Sequence, residues 1–165
     1  MHWYCPFWIF VWRRQVEHEG ESKRRYNGIR FMAKLTEAMA ATAFARAWNR
    51  LDPTEFIELL DADARYASQW VFEELVGRDA IAHYLIGKMR NAKAYAVNSS
   101  EHKVFAELGR TTKSFSGRDC VFMAQGLKES VTAVVLFEVI EERIKRYDLC
   151  IPQLLDVARS GVYPI

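Results

Sequence analysis

The main change in the periodicity of the apolar residues falls at Lys93, and this change limits the fold more than any other feature. Between Lys34 and Lys93, apart from one predicted strand at 65–75, apolar side chains recur at steps of three and four residues, which is typical of helices with one buried face. After Lys93 they alternate, in segments rich in Val, Phe, Ile and Tyr, which is typical of strands. Helices followed by a run of strands predict an α+β domain in which a curved antiparallel sheet wraps over three amino-terminal helices.

The same pattern, together with the turn residues, sets the expected order of elements. Asp52-Pro53 ends the first helix, and Asp79 is a good cap for the third, which continues to about Lys93. The first and second predicted helices cover residues 34–51 and 54–60, and a last helix is predicted at residues 152–159. The predicted strands cover residues 65–75, 95–108, 119–127, 131–140 and 143–151. Short polar joints between the last strands predict antiparallel hairpins.

Residues 1–35 differ in composition from the rest of the chain. They include six aromatic residues within the first twelve, and they carry seven basic and three acidic side chains, against 16 basic and 18 acidic in residues 36–165. The aromatic run stops at Arg13-Arg14, which is too short for a membrane span, and the charges follow it, unlike those of a secretory signal. We interpret residues 1–35 as a packed arm, an interfacial anchor or a leader, and residues 36–165 as one domain.

Charge and cysteine usage exclude several functions. With 23 Lys+Arg against 21 Asp+Glu, the chain has no basic track, so we expect no nucleic-acid binding. Cys5, Cys120 and Cys150 stand far apart without a CxxC pair, which predicts free thiols in a cytoplasmic protein. The four histidines lack metal-ligand spacing, and no nucleotide-binding or nucleophile motif occurs in the sequence. We therefore expect neither a metal nor a cofactor.

Several weak motifs occur in an order that resembles the nuclear transport factor two-like superfamily, and within it the SnoaL-like branch. They lie between residues 39 and 157: WNRLD at 48–52, FIELLDAD at 56–63, LVGRDAI at 75–81 and the final hairpin at 135–149. Members usually carry Gly at the last turn, where this chain has Glu142. The resemblance implies a cone-shaped cystatin-like roll around an apolar pocket, and a homodimer formed through the sheet. The superfamily includes isomerases, dehydratases, hydrolases and binding proteins, so the fold leaves the activity open.

Alternation along the last strand gives the first candidate site residues. If Ile144 faces the interior, a period of two places Arg146 and Asp148 on the same face, with Phe137 inward on the neighbouring strand. Charges on an apolar interior are costly unless they are paired or used by a ligand. We therefore predict Asp148 as a catalytic base or acid and Arg146 as an anion partner. The alternative is a structural pair, or a position at the rim.

His102 is the second catalytic candidate, because it resembles the position of a pocket histidine in many SnoaL-like proteins. Beside Asp148 it would form a dyad suited to proton transfer, and a solvated histidine is the alternative. The predicted ligand-binding residues also include aromatic side chains that packing alone could explain: Tyr66, Trp70 and Tyr84, together with Phe137.

These observations favour an apolar pocket that binds a small hydrophobic molecule. Two other functions stay open. One is a cofactor-independent isomerase, dehydratase or hydrolase working by acid–base chemistry, and the other is a non-catalytic dimeric interaction module. Two adjacent apolar side chains on the other sheet face, Val134 and Leu136, predict that this face is covered, by a second subunit or by the amino-terminal arm.

Overall fold

Three helices lie on one face of a seven-stranded sheet. The computed structural model describes residues 34–97, 99–112, 117–154 and 157–165, so almost the whole of the predicted arm, residues 1–35, lies outside the described residues. The helices are α1 (Glu37–Arg50), α2 (Thr54–Leu59) and α3 (Arg78–Ala96). The strands are β1 (Leu60–Ser68), β2 (Val71–Val76), β3 (Val104–Thr111), β4 (Asp119–Gln125), β5 (Val131–Ile140), β6 (Arg143–Cys150) and β7 (Val157–Arg159).

The sheet is curved and open, with strand order β2-β1-β6-β5-β4-β3-β7. The predicted α+β class is confirmed. The sheet is mixed rather than wholly antiparallel, because β1 and β6 run parallel while the other neighbours are antiparallel. None of the helices in the described part of the chain has the length and apolar content needed to cross a membrane.

Three predicted element boundaries were wrong. The strand expected at 65–75 is a hairpin of β1 and β2, and α3 continues to Ala96, so the strand expected at 95–108 begins at Val104. The helix expected at 152–159 is a single 3₁₀ turn, Pro152–Leu154, followed by β7. Hydrogen bonding to the edge of β3 outweighs the local helical pattern there, as tertiary context often does.

Helix α1 lies within the predicted helix at 34–51 but begins three residues later, at Glu37. The Oγ1 atom of Thr36 accepts a hydrogen bond from the Met39 amide, and Glu37 lies in the first turn, where the helix dipole favours a negative charge. Leu51 closes the helix in the left-handed conformation. The buried stripe includes Phe44 and Trp48, which face the sheet.

The core between the helices and the sheet is a cluster of aromatic rings centred on Tyr147 of β6. Its ring centroid lies 5.8 Å from that of Phe44, 5.4 Å from that of Phe56 and 6.4 Å from that of Phe137. It also stacks on Tyr66 of β1 at 4.7 Å. Tilted and edge-on contacts at these distances add about 0.5–1.5 kcal/mol per pair to the burial of the rings. Tyr147 therefore joins α1, α2, β1 and β5.

The carboxyl-terminal segment is held against β3 by two polar side chains, the half-buried Asn49 and the buried Glu107. Nδ2 of Asn49 donates to the carbonyls of Ala106 and Pro164, each at 2.8 Å, and its Oδ1 accepts from the Ala106 amide at 2.9 Å. Glu107, which is 2% exposed, accepts from Nε of Arg159 at 2.9 Å and from the amide of Gly161 and the hydroxyl of Tyr163, both at 2.7 Å. These bonds satisfy a carboxylate that burial alone would make costly.

Replacing Glu107 by Gln should reduce the free energy of unfolding at pH 7 by about 2 kcal/mol, because charge-assisted hydrogen bonds to a buried group are lost. Burial raises the pKa of Glu107, but the hydrogen bonds from Arg159, Tyr163 and Gly161 together lower it by more. The resulting pKa lies below the ordinary value of 4.5. The stability that this carboxylate contributes is therefore present above pH 4.5 and is lost as the pH falls through the lowered pKa.

Urea unfolding of the two proteins at a series of pH values measures this difference. It should be largest near neutrality and shrink below pH 4.5. The exposed Glu129→Gln is the matched control, and its unfolding curve should follow that of the parent protein at every pH. A Glu107→Gln difference that stays constant into acid would contradict the assigned role of the carboxylate.

The turn between β5 and β6 has two residues, Glu141 and Glu142, both with positive φ (49° and 61°). Two-residue hairpin turns of this kind favour Asn and Gly, because a Cβ atom costs about 1–2 kcal/mol in the left-handed region. Glu142 stands where the resemblance leads us to expect Gly. The turn is therefore a strained point in an otherwise regular hairpin.

Substituting Glu142 by Gly should raise the free energy of unfolding by about 0.5–1 kcal/mol, since relief of left-handed strain exceeds the entropy that Gly adds to the unfolded chain. Thermal and urea unfolding would measure the change. Glu129→Gly, in the β4–β5 connection where the glutamate has no positive φ, is the matched control and should destabilise the protein. Equal losses in both variants would rule out strain at Glu142.

Candidate functional site

A β-bulge in β6 decides which of the predicted site residues face the helices. The pairing with β5 shifts between Glu138–Arg146 and Val139–Ile144, so Lys145 is an extra residue in β6. Ile144 is buried on the helix side, and after the bulge the next residue on that side is Tyr147. Arg146 and Asp148 consequently lie on the opposite face, which we call the outer face. The alternation that placed them inward with Ile144 was wrong for this reason.

On the outer face, Arg146 and Asp148 form an ion pair. Nε of Arg146 donates to both carboxylate oxygens of Asp148 at 2.9 and 3.0 Å, and its Nη1 donates to Glu74 of β2 at 2.7 Å. Glu74 also accepts from Arg65 of β1 at 3.0 Å. The hydrogen bond to Asp148 is the main cause that raises the pKa of the Arg146 guanidinium. This is the structural pair that the sequence left open as the alternative.

His102 lies far from Asp148 in the register of the sheet. Asp148 is opposite Leu136, which is opposite Cys120, which is opposite Gly109 of β3. The two residues are thus separated by three strand spacings of about 4.8 Å each, and His102 precedes Gly109 by seven residues. His102 instead packs its ring against Tyr95 of α3 at 5.8 Å. The structure does not bring His102 and Asp148 together.

The helix-facing side holds three tyrosine rings in contact, Tyr147, Tyr66 and Tyr84, which we call the tyrosine row. The ring of Tyr66 lies between the other two, 4.7 Å from Tyr147 and 5.3 Å from Tyr84, measured between centroids. The hydroxyls of Tyr66 and Tyr84 are 3.5 Å apart. Because Tyr66 is on β1, Tyr84 on α3 and Tyr147 on β6, three elements distant in sequence build the row.

All three hydroxyls of the tyrosine row are held in the neutral form. Burial is the main cause that raises the pKa of each phenol, and hydrogen bonds from Tyr84 and the buried Ser68 oppose the rise only in part at Tyr66. A neutral phenol is a hydrogen-bond donor as well as an acceptor. The row can therefore donate to a carbonyl, hydroxyl or carboxylate oxygen over the whole physiological pH range.

The hydroxyl of Tyr147 is buried and has no hydrogen-bond partner among the described residues. The residue is 1% exposed, and its ring neighbours are hydrocarbon or other phenols. Leaving such a donor unpaired costs about 1–3 kcal/mol. An oxygen atom from outside the chain, supplied by a ligand or by water, would satisfy it.

The other predicted ligand-binding residues fall into two groups. Phe137 is buried on the helix-facing side within the aromatic core, as its inward placement predicted. Trp70 lies in the turn between β1 and β2 and is 48% exposed, so it no longer shares the buried face with Tyr66. The amide of Trp70 donates to the Oγ atom of Ser68 at 3.3 Å, which links this turn to the strand that carries Tyr66.

Two residues near the row were missed by the sequence analysis. For Tyr147, a period of two without the bulge predicts an outward side chain in the last strand, so the sequence does not single it out. Lys88, one helical turn after Tyr84, places its Nζ atom 5.5 Å from the centre of the Tyr84 ring. The spacing of four between Tyr84 and Lys88 on a helix was the available signal for this pair.

Part of the outer face is buried in a small core of its own. Cys120, Phe122 and Val134 are buried there, and Val157 of β7 packs against them. Because β7 is the edge strand of the same sheet, cover of this face by a second subunit or by the amino-terminal arm stays a prediction. Burial raises the pKa of the Cys120 thiol to about 12, which keeps this thiol protonated and unreactive.

Comparison with known proteins finds likeness only at the level of structure. No protein-family model matches the chain, and no curated protein matches its sequence. An uncharacterized cystatin-fold protein from Novosphingobium aromaticivorans is 14% identical, with a TM-score of 0.47, covering 70% of this chain and 97% of that chain. An NTF2-like protein of unknown function from Cytophaga hutchinsonii is 10% identical, with a TM-score of 0.48, covering 75% of this chain and 96% of that chain.

A SnoaL-like protein of unknown function from Burkholderia thailandensis is 14% identical, with a TM-score of 0.46, covering 78% of this chain and all of that chain. The neighbours carry the family names that the sequence resemblance indicated. At these identities the likeness concerns the fold alone, and function has to be argued from the residues of this chain.

Replacing Tyr147 by Phe should raise the free energy of unfolding of the ligand-free protein by about 1 kcal/mol, because an unpaired buried hydroxyl is removed while the ring stays. Tyr66→Phe is the matched control: it removes a hydroxyl that has a partner and should lower the same quantity by about 1 kcal/mol. Urea unfolding of the two variants measures both. If Tyr147→Phe is as destabilising as Tyr66→Phe, the Tyr147 hydroxyl has a partner in the free protein.

Proposed function

We propose that the chain binds a small, mainly apolar molecule on the helix-facing side of the sheet, with a polar atom of that molecule against the tyrosine row. The observation that carries this proposal is the buried hydroxyl of Tyr147, which has no hydrogen-bond partner among the described residues. A ligand oxygen beside this hydroxyl would remove the cost of the unpaired donor, so the free energy of binding includes that gain.

The surroundings of the row favour an uncharged, apolar ligand body. Phe44, Phe56 and Phe137 lie around the ring of Tyr147, and the row itself contributes two more phenol rings. Apolar walls with a few oriented polar groups are the usual composition of a small-molecule site. The described donors next to these walls are neutral hydroxyls, which suit a carbonyl, ether or hydroxyl oxygen.

Acid–base catalysis receives less support than binding. The expected base, Asp148, has both carboxylate oxygens engaged by Arg146, and it faces away from the tyrosine row. A catalytic base has to reach the proton that it removes within hydrogen-bond distance or through one water. The catalytic roles of Asp148 and His102 therefore stay predictions, and the binding function does not depend on them.

The fluorescent ketone prodan tests the proposal, because it is a neutral naphthalene whose emission responds to a polar or apolar surrounding. Saturable binding with a blue-shifted emission is expected. Tyr147→Phe should weaken binding about fivefold, which is about 1 kcal/mol and corresponds to one hydrogen bond to a neutral acceptor.

Two variants control this titration. Tyr95→Phe removes a hydroxyl from an exposed tyrosine at the end of α3 and should leave the dissociation constant unchanged within twofold. Asp148→Asn removes the negative charge that pairs with Arg146 on the outer face, and it should also leave the dissociation constant unchanged. The proposed site would be refuted if prodan did not bind saturably, or if the Tyr147 and Tyr95 variants lost affinity equally. A large loss of affinity in Asp148→Asn would show that Asp148 belongs to the binding site.

A further inference from the structure

We infer that the ligand carries two uncharged oxygen acceptors on its apolar body, and that the indole N–H of Trp48 donates to the second one. This inference rests on the proposed function, in which the hydroxyl of Tyr147 meets one polar atom of the ligand. It adds how many such atoms there are and of what kind. The argument comes from a second buried donor without a partner, on a different element of the same aromatic core.

Trp48 belongs to the buried stripe of α1, one helical turn after Phe44. The residue is 6% exposed, and its Nε1 atom is buried with no hydrogen-bond partner among the described residues. Buried tryptophans usually have a partner for this N–H group. Because an indole N–H only donates, the missing partner has to be an atom with a lone pair. An acceptor from outside the chain would remove the cost of this unpaired donor.

Trp48 and Tyr147 both contact the ring of Phe44. The centroid of that ring is 6.4 Å from the centroid of Trp48 and 5.8 Å from the centroid of Tyr147. Phe44 has no polar atom to offer to either of them. The two unpaired donors therefore border one apolar wall, and a single small molecule lying along that wall is able to meet both.

The part of the sheet that faces the end of α1 offers no oxygen acceptor from its side chains. Asn49, in the last turn of α1, holds the backbone of Ala106 with hydrogen bonds of 2.8 and 2.9 Å, which fixes this end of the helix over β3. Ala106 pairs with Met123, which pairs with Ala133 of β5. Ala133 is on the same side of β5 as the inward Phe137, because an even number of residues separates them. This wall is thus apolar, and it consists mostly of small side chains.

The chemistry of the two donors defines the class of ligand. Both are neutral groups within an aromatic core, where a negative charge is costly to bury. The hydroxyl of Tyr147 accepts as well as donates, so it suits a ketone, an ether or a hydroxyl oxygen. The N–H of Trp48 suits only an acceptor, such as a ketone, ester or ether oxygen. An apolar diketone or keto-ester has both functions.

A set of matched naphthalenes tests the second acceptor. Prodan has one ketone and a dimethylamino group, and its diketone analogue has a second propanoyl group in place of that amine. The isomer with the second propanoyl group on the neighbouring ring carbon points this ketone in another direction. Calorimetric titration should show that Trp48→Phe weakens at least one diketone about fivefold more than it weakens prodan, which is about 1 kcal/mol.

The comparison between ligands separates the hydrogen bond from packing. Phe is smaller than Trp, so Trp48→Phe changes the packing for prodan and the diketones alike, whereas the lost N–H affects only a ligand with a second acceptor. Trp70→Phe is the matched control, because Trp70 is 48% exposed in the turn between β1 and β2. It should change the affinity of each ligand less than twofold. Tyr147→Phe should weaken prodan and the diketones by the same factor.

Nuclear magnetic resonance of the parent protein gives a readout that does not depend on the folding of a variant. In a ¹H–¹⁵N spectrum of the indole groups, the signal missing from Trp48→Phe identifies Trp48. The diketone should move this proton downfield, because a hydrogen bond forms at the N–H, and prodan should move it much less. The signal of Trp70, identified in the same way, should not move.

The outcomes separate this inference from the proposed function. If Trp48→Phe weakens prodan and both diketones equally, or if no diketone moves the Trp48 indole proton, the second acceptor site is refuted while the site at Tyr147 stands. If prodan does not bind the parent protein saturably, the proposed function itself fails. Both are supported by a loss in Trp48→Phe that is specific to a diketone, together with the downfield shift of the Trp48 proton.

Discussion

The packing of the Tyr147 ring is the contact on which the rest of the structure depends. Rings from α1, α2, β1 and β5 all meet it, so the two helices that begin the domain and the strands that end it are joined at one side chain. A phenylalanine would make the same contacts without an unpaired hydroxyl in the core. The presence of that hydroxyl at the centre of the packing is the feature that stability alone does not explain.

The β-bulge at Lys145 converts this packing into two chemically different faces. It turns Tyr147 toward the helices and leaves Arg146 and Asp148 outside, where they pair with each other and with Glu74. Without the extra residue, the charges would point at the aromatic core, where desolvation is expensive. Separation of ion pairs from phenols allows a buried surface of neutral donors, which is the basis of the proposed binding site.

The edge of the sheet at β3 is stabilised separately from the aromatic core, by the carboxyl-terminal segment. The carboxyl-terminal segment adds β7 to the edge of β3, and Asn49 and Glu107 fix it with side-chain hydrogen bonds to its backbone and to Arg159. A covered edge does not offer its free backbone groups to other chains. The same segment packs Val157 against the small outer-face core.

Local sequence patterns were sufficient for much of the fold. The helix that contains Phe44 and Trp48, the strand at Val131–Ile140 and the inward position of Phe137 follow from propensity and periodicity, which depend on neighbouring residues only. The same patterns gave the α+β class, and they identified Tyr66 and Tyr84 as inward aromatic residues.

The features that depend on pairing between distant strands were decided only by the tertiary structure. The parallel contact of β1 with β6, the conversion of the last predicted helix into β7, and the bulge that reverses the faces of Tyr147 and Asp148 all arise from hydrogen bonds across the sheet. One unpaired residue in a strand changes the side of every residue after it, and no local pattern marks it. For that reason the sequence by itself determined which side chains are available for a site, while the tertiary structure decided which of them meet.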